Sequence, residues 1–250
     1  MARPGRGRRW PGPWRIALVL LVLGGGAPAA CASLVLTGTR LIYPAAARQV
    51  RIGVLNVGTQ PALMQAWIDA GDAEARPQDI RVPFVLTPPM ARIDPGQRQT
   101  LGVVFVGPAL PTDRESVFWL NVLDIPPKPR SEPGRNYIQF AVRTRIKLVY
   151  RPADLHGNPE QAMRALRWRE TCRAGRCSVE ADNPTPYTIA IVELQCLHGR
   201  RVLASGLQGT ALPFGVARWP VDASARIRSV RYAVINDYGA LVHARASLAP

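Results

Sequence analysis

The chain is poor in the residues from which active sites are usually built. Its 250 residues include three histidines and four cysteines. His156, His198 and His243 stand apart, and none lies in an HExxH run or at a metal-ligand spacing from a Cys or carboxylate. No GxSxG occurs, and no Gly-rich phosphate loop follows a strand-like run. Acidic residues are scarce too: 17 Asp and Glu stand against 32 Lys and Arg, a formal net charge of +15. These absences argue against an enzyme and against a bound metal or cofactor. They point to a protein whose business is binding.

Helical periodicity and membrane-length apolar runs are also missing. The run IALVLLVL, residues 16–23, is eight residues long, and a bilayer span needs about 20. It follows the basic, acid-free MARPGRGRRWPGPWR and precedes the small residues GGGAPAACA. That order is the plan of a secretory signal. Ala30 and Ala32 satisfy the small-x-small rule, so residues 1–32 are expected to be cleaved, leaving an exported protein with no membrane anchor. Pro28 stands three residues before Cys31, where a lipobox carries Leu, so lipidation is not expected. Removing the signal removes five Arg and leaves 15 − 5 = +10. The charge is spread along the chain, and an exported protein rarely meets nucleic acid, so no nucleic-acid partner is expected. Three cysteines remain. Cys172 and Cys177 flank the turn-like RAGR and suit a hairpin bridge in an oxidising compartment, with Cys196 a buried thiol. The spacing alone leaves the pairing among the three open.

The rest of the chain reads as short strands separated by turns. SLVLTGTRLIYP, QVRIGVLNVG, PALMQAWID, PFVLTPPMARIDPGQ, QTLGVVFVG, ESVFWLNVLDIPP and YIQFAVRTRIKLVY are seven such runs between Ser33 and Arg151. DPG within the fourth is a turn in which Pro fixes φ and Gly accepts positive φ. A second set runs from RALRWRETCR to LVHARASLAP, with a short helix beginning in PEQAMRALRW. Pro152 cannot continue a central strand, so a boundary is expected near Arg151–Pro152. The expected fold is all-β: two immunoglobulin-like β-sandwich domains, 33–151 and 152–250.

The last run of the first set is unusual. Arg143, Arg145 and Lys147 alternate with Thr144, Ile146 and Leu148, giving a basic face and a mostly apolar one. Ile138, Phe140 and Val142 continue the apolar parity. Such a row either faces its own core or lies on an edge lent to another protein. An exposed apolar edge also leaves room for self-association of the free protein.

Five motifs decide between these readings. VLTPPMARIDPGQ, DRESVFWLNVLDIPP, RTRIKLVYRP, ADNPTPYTIAI and VINDYG occur in that order across both halves. Together they resemble the PapD-like family, the periplasmic chaperones of chaperone–usher pilus assembly. The resemblance implies two sandwiches set as a boomerang and an ATP-independent chaperone, whose edge strand completes a pilin that lacks its own last strand. It implies pilins and an outer-membrane usher as partners. Carried over, the donor row is Ile138, Phe140 and Val142, with Ile146 extending it. Arg40 and Lys147 match the pair that holds the pilin's C-terminal carboxylate. Glu115, Arg151 and Asp237 match an ionic cluster at the domain junction. The loop PPKPRSEPGRN is short and free of cysteines, which favours the pilus-type subgroup. The alternative is a secreted immunoglobulin-like structural or adhesion module, in which Arg40 and Lys147 are ordinary surface charges.

Overall fold

A computed structural model describes residues 33–128, 139–173, 176–222 and 225–248. The expected signal, most of the short loop and Ile138 lie outside them. The described chain is strand throughout, apart from a short 3-10 turn at Pro77–Asp79 and one helix, α1, at Pro159–Ala162. That helix starts where the side chain of Asn158 accepts from the Gln161 amide and Pro159 occupies its first turn.

Nine strands build the first sandwich: β1 (Leu34–Leu36), β2 (Arg40–Pro44), β3 (Val50–Asn56), β4 (Ala62–Asp69), β5 (Phe84–Thr87), β6 (Met90–Ile93), β7 (Arg98–Phe105), β8 (Ser116–Ile125) and β9 (Val142–Arg151). One sheet has the order β1-β3-β7-β5 and the other β2-β9-β8-β4-β6. Two of the runs read from sequence as single strands are each split between the sheets. SLVLTGTRLIYP crosses over at Thr37–Thr39, separating β1 from β2. PFVLTPPMARI crosses at Pro88 and Pro89, which cannot donate to a ladder.

Alternation selects the core side of each strand. Ile52 and Val54, Leu101 and Val103, Met64 and Ile68, Leu120 and Val122 point inward and are buried. At one end Tyr43, Phe84, Phe105, Phe118 and Tyr150 form an aromatic cluster with ring centroids 4.9–6.5 Å apart. Tyr43 also closes a polar account there. Its hydroxyl donates to the Ala47 carbonyl at 3.0 Å and accepts from the Phe105 amide at 3.1 Å.

The second sandwich contains β10 (Arg167–Arg173), β11 (Arg176–Asp182), β12 (Ile189–His198), β13 (Arg201–Ala211), β14 (Val216–Val221), β15 (Ser229–Ile235) and β16 (Leu241–Ser247). Its sheets are β10-β11-β14 and β13-β12-β15-β16. Trp168 packs between Trp219 and Tyr232 at 5.8 and 5.0 Å. Asn183, fully buried, donates to the carbonyls of Tyr187, Ala211 and Leu212 and ties the β11–β12 turn down. Cys172 and Cys177 face each other across β10 and β11 and are joined by a disulfide. Cys196 is a free, buried thiol that burial pushes up to about 11, which keeps it unreactive.

Replacing Tyr43 by Phe leaves the partly buried Phe105 amide without its acceptor. Denaturant unfolding of Tyr43→Phe is expected to show a loss of about 1–3 kcal/mol.

Candidate functional site

Strand β9 has different neighbours along its length. On one side Val142 to Tyr150 pair antiparallel with Asp124 to Ser116 of β8. On the other side β2 runs parallel, but only from Arg40 opposite Lys147 to Pro44 opposite Arg151. The backbone of residues 142–146 therefore presents an open edge. Sequence alternation suggested a longer strand beginning near Tyr137. It starts at Val142 because Asp124 is the last residue of β8 to pair with it, and Pro126 and Pro127 follow at once.

The apolar row changes character along this edge. Phe140 is 67% exposed and Val142 38%, whereas Ile146 and Leu148 are buried in the first sandwich's own core. The extension of a lent row to Ile146 is therefore corrected. Ile146, opposite Leu120 of β8 and next to the residue where β2 begins, already packs into the core, and the exposed part of the row ends at Val142.

Arg40 and Lys147 meet where the open edge ends. They are register partners across β2 and β9. Neither forms an ion pair among the described residues, and Nε of Arg40 is buried without a hydrogen-bond partner. Burial lowers the pKa of Arg40 against the pull of Asp237 and Glu115. Lys147 is lowered to about 8 by burial first, then by repulsion from Arg40 and Arg145. Two cations are thus partly desolvated side by side with no carboxylate in ion-pair contact among the described residues, an arrangement that favours an anion.

A platform supports Lys147. Its ammonium lies 4.7 Å from the centre of the Trp119 ring, and the guanidinium of Arg145 lies 4.1 Å from the same ring. Arg145 is clamped by Asp69, at 2.6 and 3.1 Å. Asp69 is 2% exposed and also accepts from Asn121 and from the Gly71 amide, each at 2.7 Å. Burial opposes its ionisation, but these three donors outweigh burial and hold the carboxyl below its usual range. Sequence reading placed Arg145 on the basic face and missed the platform. Trp119, Asn121 and Asp69 show only the outward parity of β8 and β4, and their convergence comes from strand pairing.

Four residues after Lys147, Arg151 is fully partnered. Its Nε donates to Glu115 at 2.6 Å, and its two other nitrogens donate to Asp237 at 2.7 and 3.0 Å. Asp237 sits between β15 and β16 of the second sandwich. Glu115 also crosses between the sandwiches, accepting from the Thr188 amide at 2.7 Å while its own amide donates to the Pro186 carbonyl at 2.9 Å. Burial lowers the pKa of Arg151, and the two carboxylates more than reverse this. Pro186 and Thr188 lie in the quoted ADNPTPYTIAI motif, but nothing in their identity marks them as Glu115 partners, because each contributes only backbone.

Comparison with known proteins fits this geometry. Residues 33–156 match the family described as pili and flagellar-assembly chaperone, PapD N-terminal domain. Residues 161–246 match pili assembly chaperone PapD, C-terminal domain. The chain is 43% identical over 249 residues to the chaperone protein FimB/FhaD of Bordetella pertussis, covering 94% of this chain and 98% of that one. The crystal structure of the Pseudomonas aeruginosa CupB2 chaperone superposes with a TM-score of 0.72 at 34% identity, covering 86% of this chain and all of the other. The Salmonella enterica SafB chaperone, solved in complex with the SafA pilin, gives a TM-score of 0.72 at 27% identity over 88% of this chain and 99% of that one. The chain belongs to the PapD-like pilus chaperones, periplasmic and non-enzymatic proteins of the chaperone–usher pathway.

Arg151→Ala strips the guanidinium from a Glu115 side chain that is 1% exposed. Equilibrium unfolding is expected to show a loss of about 3–5 kcal/mol, the usual consequence of breaking a buried pair from one side.

Proposed function

We propose that this protein captures pilus subunits by adding its β9 edge to an incomplete pilin sandwich, with Phe140 and Val142 entering the client's open core. The client's terminal carboxylate is held by Arg40 and Lys147, and Arg151 with Glu115 and Asp237 sets the angle of the two domains, 33–151 and 152–250. Removal of residues 1–32 after Ala32 delivers the protein to the periplasm. Release occurs at an outer-membrane usher by strand exchange and needs no ATP.

The observation that carries this reading is the uncompensated cation pair at the inner end of an unpaired strand edge. An added strand satisfies the edge, and its terminal carboxylate supplies the missing counterion, so one ligand answers both deficits. SafB, 27% identical, was solved bound to a pilin, which supports a client of the same kind.

Coexpression of the mature chain with a pilin from the same gene cluster tests the reading through recovery of a 1:1 periplasmic complex. Arg40→Ala and Lys147→Ala are each expected to weaken capture by about 10- to 100-fold while remaining folded, the effect of one charge-assisted hydrogen bond. Equal capture by all three proteins would remove the cation pair from the mechanism. No capture by the native protein of any cognate subunit would favour the structural-module alternative.

The lowered pKa of Lys147 adds a pH signature. Bound carboxylate favours the charged ammonium, so titration calorimetry should find capture strongest below pH 8 and weaker as the free ammonium loses its proton above it. Stability runs the other way. At neutral pH the buried charge costs stability. That cost is relieved between about 8 and 10.5, where the folded protein gives up the proton before the unfolded chain does. Lys147→Met should therefore raise Tm at neutral pH while reducing capture.

A further inference from the structure

Asp124 is a charge at a core-facing position. It continues the inward parity of Phe118, Leu120 and Val122 at the end of β8, and it is 6% exposed. Among the described residues no Lys, Arg or His pairs with it. Its hydrogen bonds from the described residues all fall on Oδ2: from the Ser33 backbone nitrogen at 2.8 Å, the Ser33 hydroxyl at 2.7 Å and the Leu34 amide at 3.2 Å. Oδ1 is buried with no partner. A buried carboxylate served by neutral donors on one oxygen only is an unfinished site.

We propose that Asp124 is the receptor for the protein's own mature amino terminus. The inference rests on the export reading above, in which the signal is cut between Ala32 and Ser33. In that hydrolysis the C–N bond breaks and the oxygen of water stays on Ala32 as a carboxylate. Both water hydrogens end on the Ser33 nitrogen, which becomes an ammonium. The atom already 2.8 Å from Asp124 then carries a positive charge and three donors in place of one, enough to serve Oδ1 as well as Oδ2. Processing thus creates a counterion that Asp124 does not find among the described residues.

The location gives the pair mechanical meaning. Ser33 leads into β1, a three-residue strand paired among the described residues only with β3, while Asp124 belongs to the other sheet. Asp124 is also the register partner of Val142, where β9 begins. The ammonium–carboxylate pair therefore pins the first strand across the sandwich, at the corner from which the open edge starts.

The test compares Tm for three forms of the secreted protein: native, extended by one glycine before Ser33, and selectively acetylated on the α-amine after folding. The native and glycine-extended forms are also made with Asp124→Asn, and intact mass establishes the first residue. The native form should begin at Ser33. Extension and acetylation should each lower Tm by at least about 2–4 °C, the shift one strong interaction produces in a chain of this length. With Asp124→Asn, extension should change Tm by less than about 1 °C, as expected when the interaction partner is already gone. Equal losses on extension in both backgrounds would make the effect steric and overturn the proposal. So would an acetylated native chain with unchanged Tm, a result that stands even if Asp124→Asn does not fold. A mature chain beginning at another residue would overturn the cleavage position and the proposal with it, leaving client capture by β9 untouched.

Discussion

The pairing of β9 is the constraint on which the structure turns. The strand is flanked on both sides from Lys147 onward and on one side before it. Leu148, flanked on both sides, and Ile146, opposite Leu120 and next to the residue where β2 begins, lie in the core, whereas Val142 at the start of the strand and Phe140 just ahead of it are exposed. A strand with open backbone groups and an apolar row invites pairing with any extended chain. Its danger and its use have the same origin, and the length of β2 divides one regime from the other.

Two cations four residues apart on that strand have opposite circumstances. Arg151 is bound by two carboxylates, one from each sandwich, and its pKa is raised. Lys147 has an aromatic face beneath it, cations beside it and a lowered pKa. The first charge is spent on geometry, since a buried ionic cluster specifies an arrangement better than it adds net stability. The second is kept unpaired by a rigid surround. Asp69 is consumed by Arg145, and Arg145 shares the Trp119 ring with Lys147, so no nearby carboxylate is free to neutralise the ammonium. In the proposed reading that restraint is what keeps the anchor ready for a client.

The fold was legible in the sequence because both halves alternate cleanly and are punctuated by Pro, Gly and Asn. The set running from RALRWRETCR to LVHARASLAP corresponds to the strands β10 to β16. The first half was harder. SLVLTGTRLIYP keeps its alternation across Thr37–Thr39 although the chain changes sheets there, and alternation carries no sign of which sheet a strand joins. The reach of β9 was overestimated because parity records side-chain direction and not the presence of a partner strand. Ile146 and Val142 share a parity, and it is their place along β9, one beside the beginning of β2 and the other at the start of the strand, that separates a buried residue from an exposed one. Arg40 and Lys147 are proposed as the anchor through motifs, whereas Asp69, Trp119 and Asp124 look like ordinary strand residues until pairing brings them together.

The same geometry dictates the direction in which a client strand would lie. A strand added to residues 142–146 occupies the line that β2 continues from Arg40 onward, so the added chain must end where β2 begins. Lying parallel to β9, it brings its C-terminus to Arg40 and Lys147; lying antiparallel, it brings its N-terminus there. Two desolvated cations attract a carboxylate and repel an ammonium, and in a partly buried cleft that difference is weakly screened. An internal Asp or Glu side chain cannot substitute, because the backbone carrying it would have to pass through the space β2 fills. In the proposed reading, strand polarity, register and the demand for a free C-terminus therefore follow from where one short strand stops and which charges stand at its end.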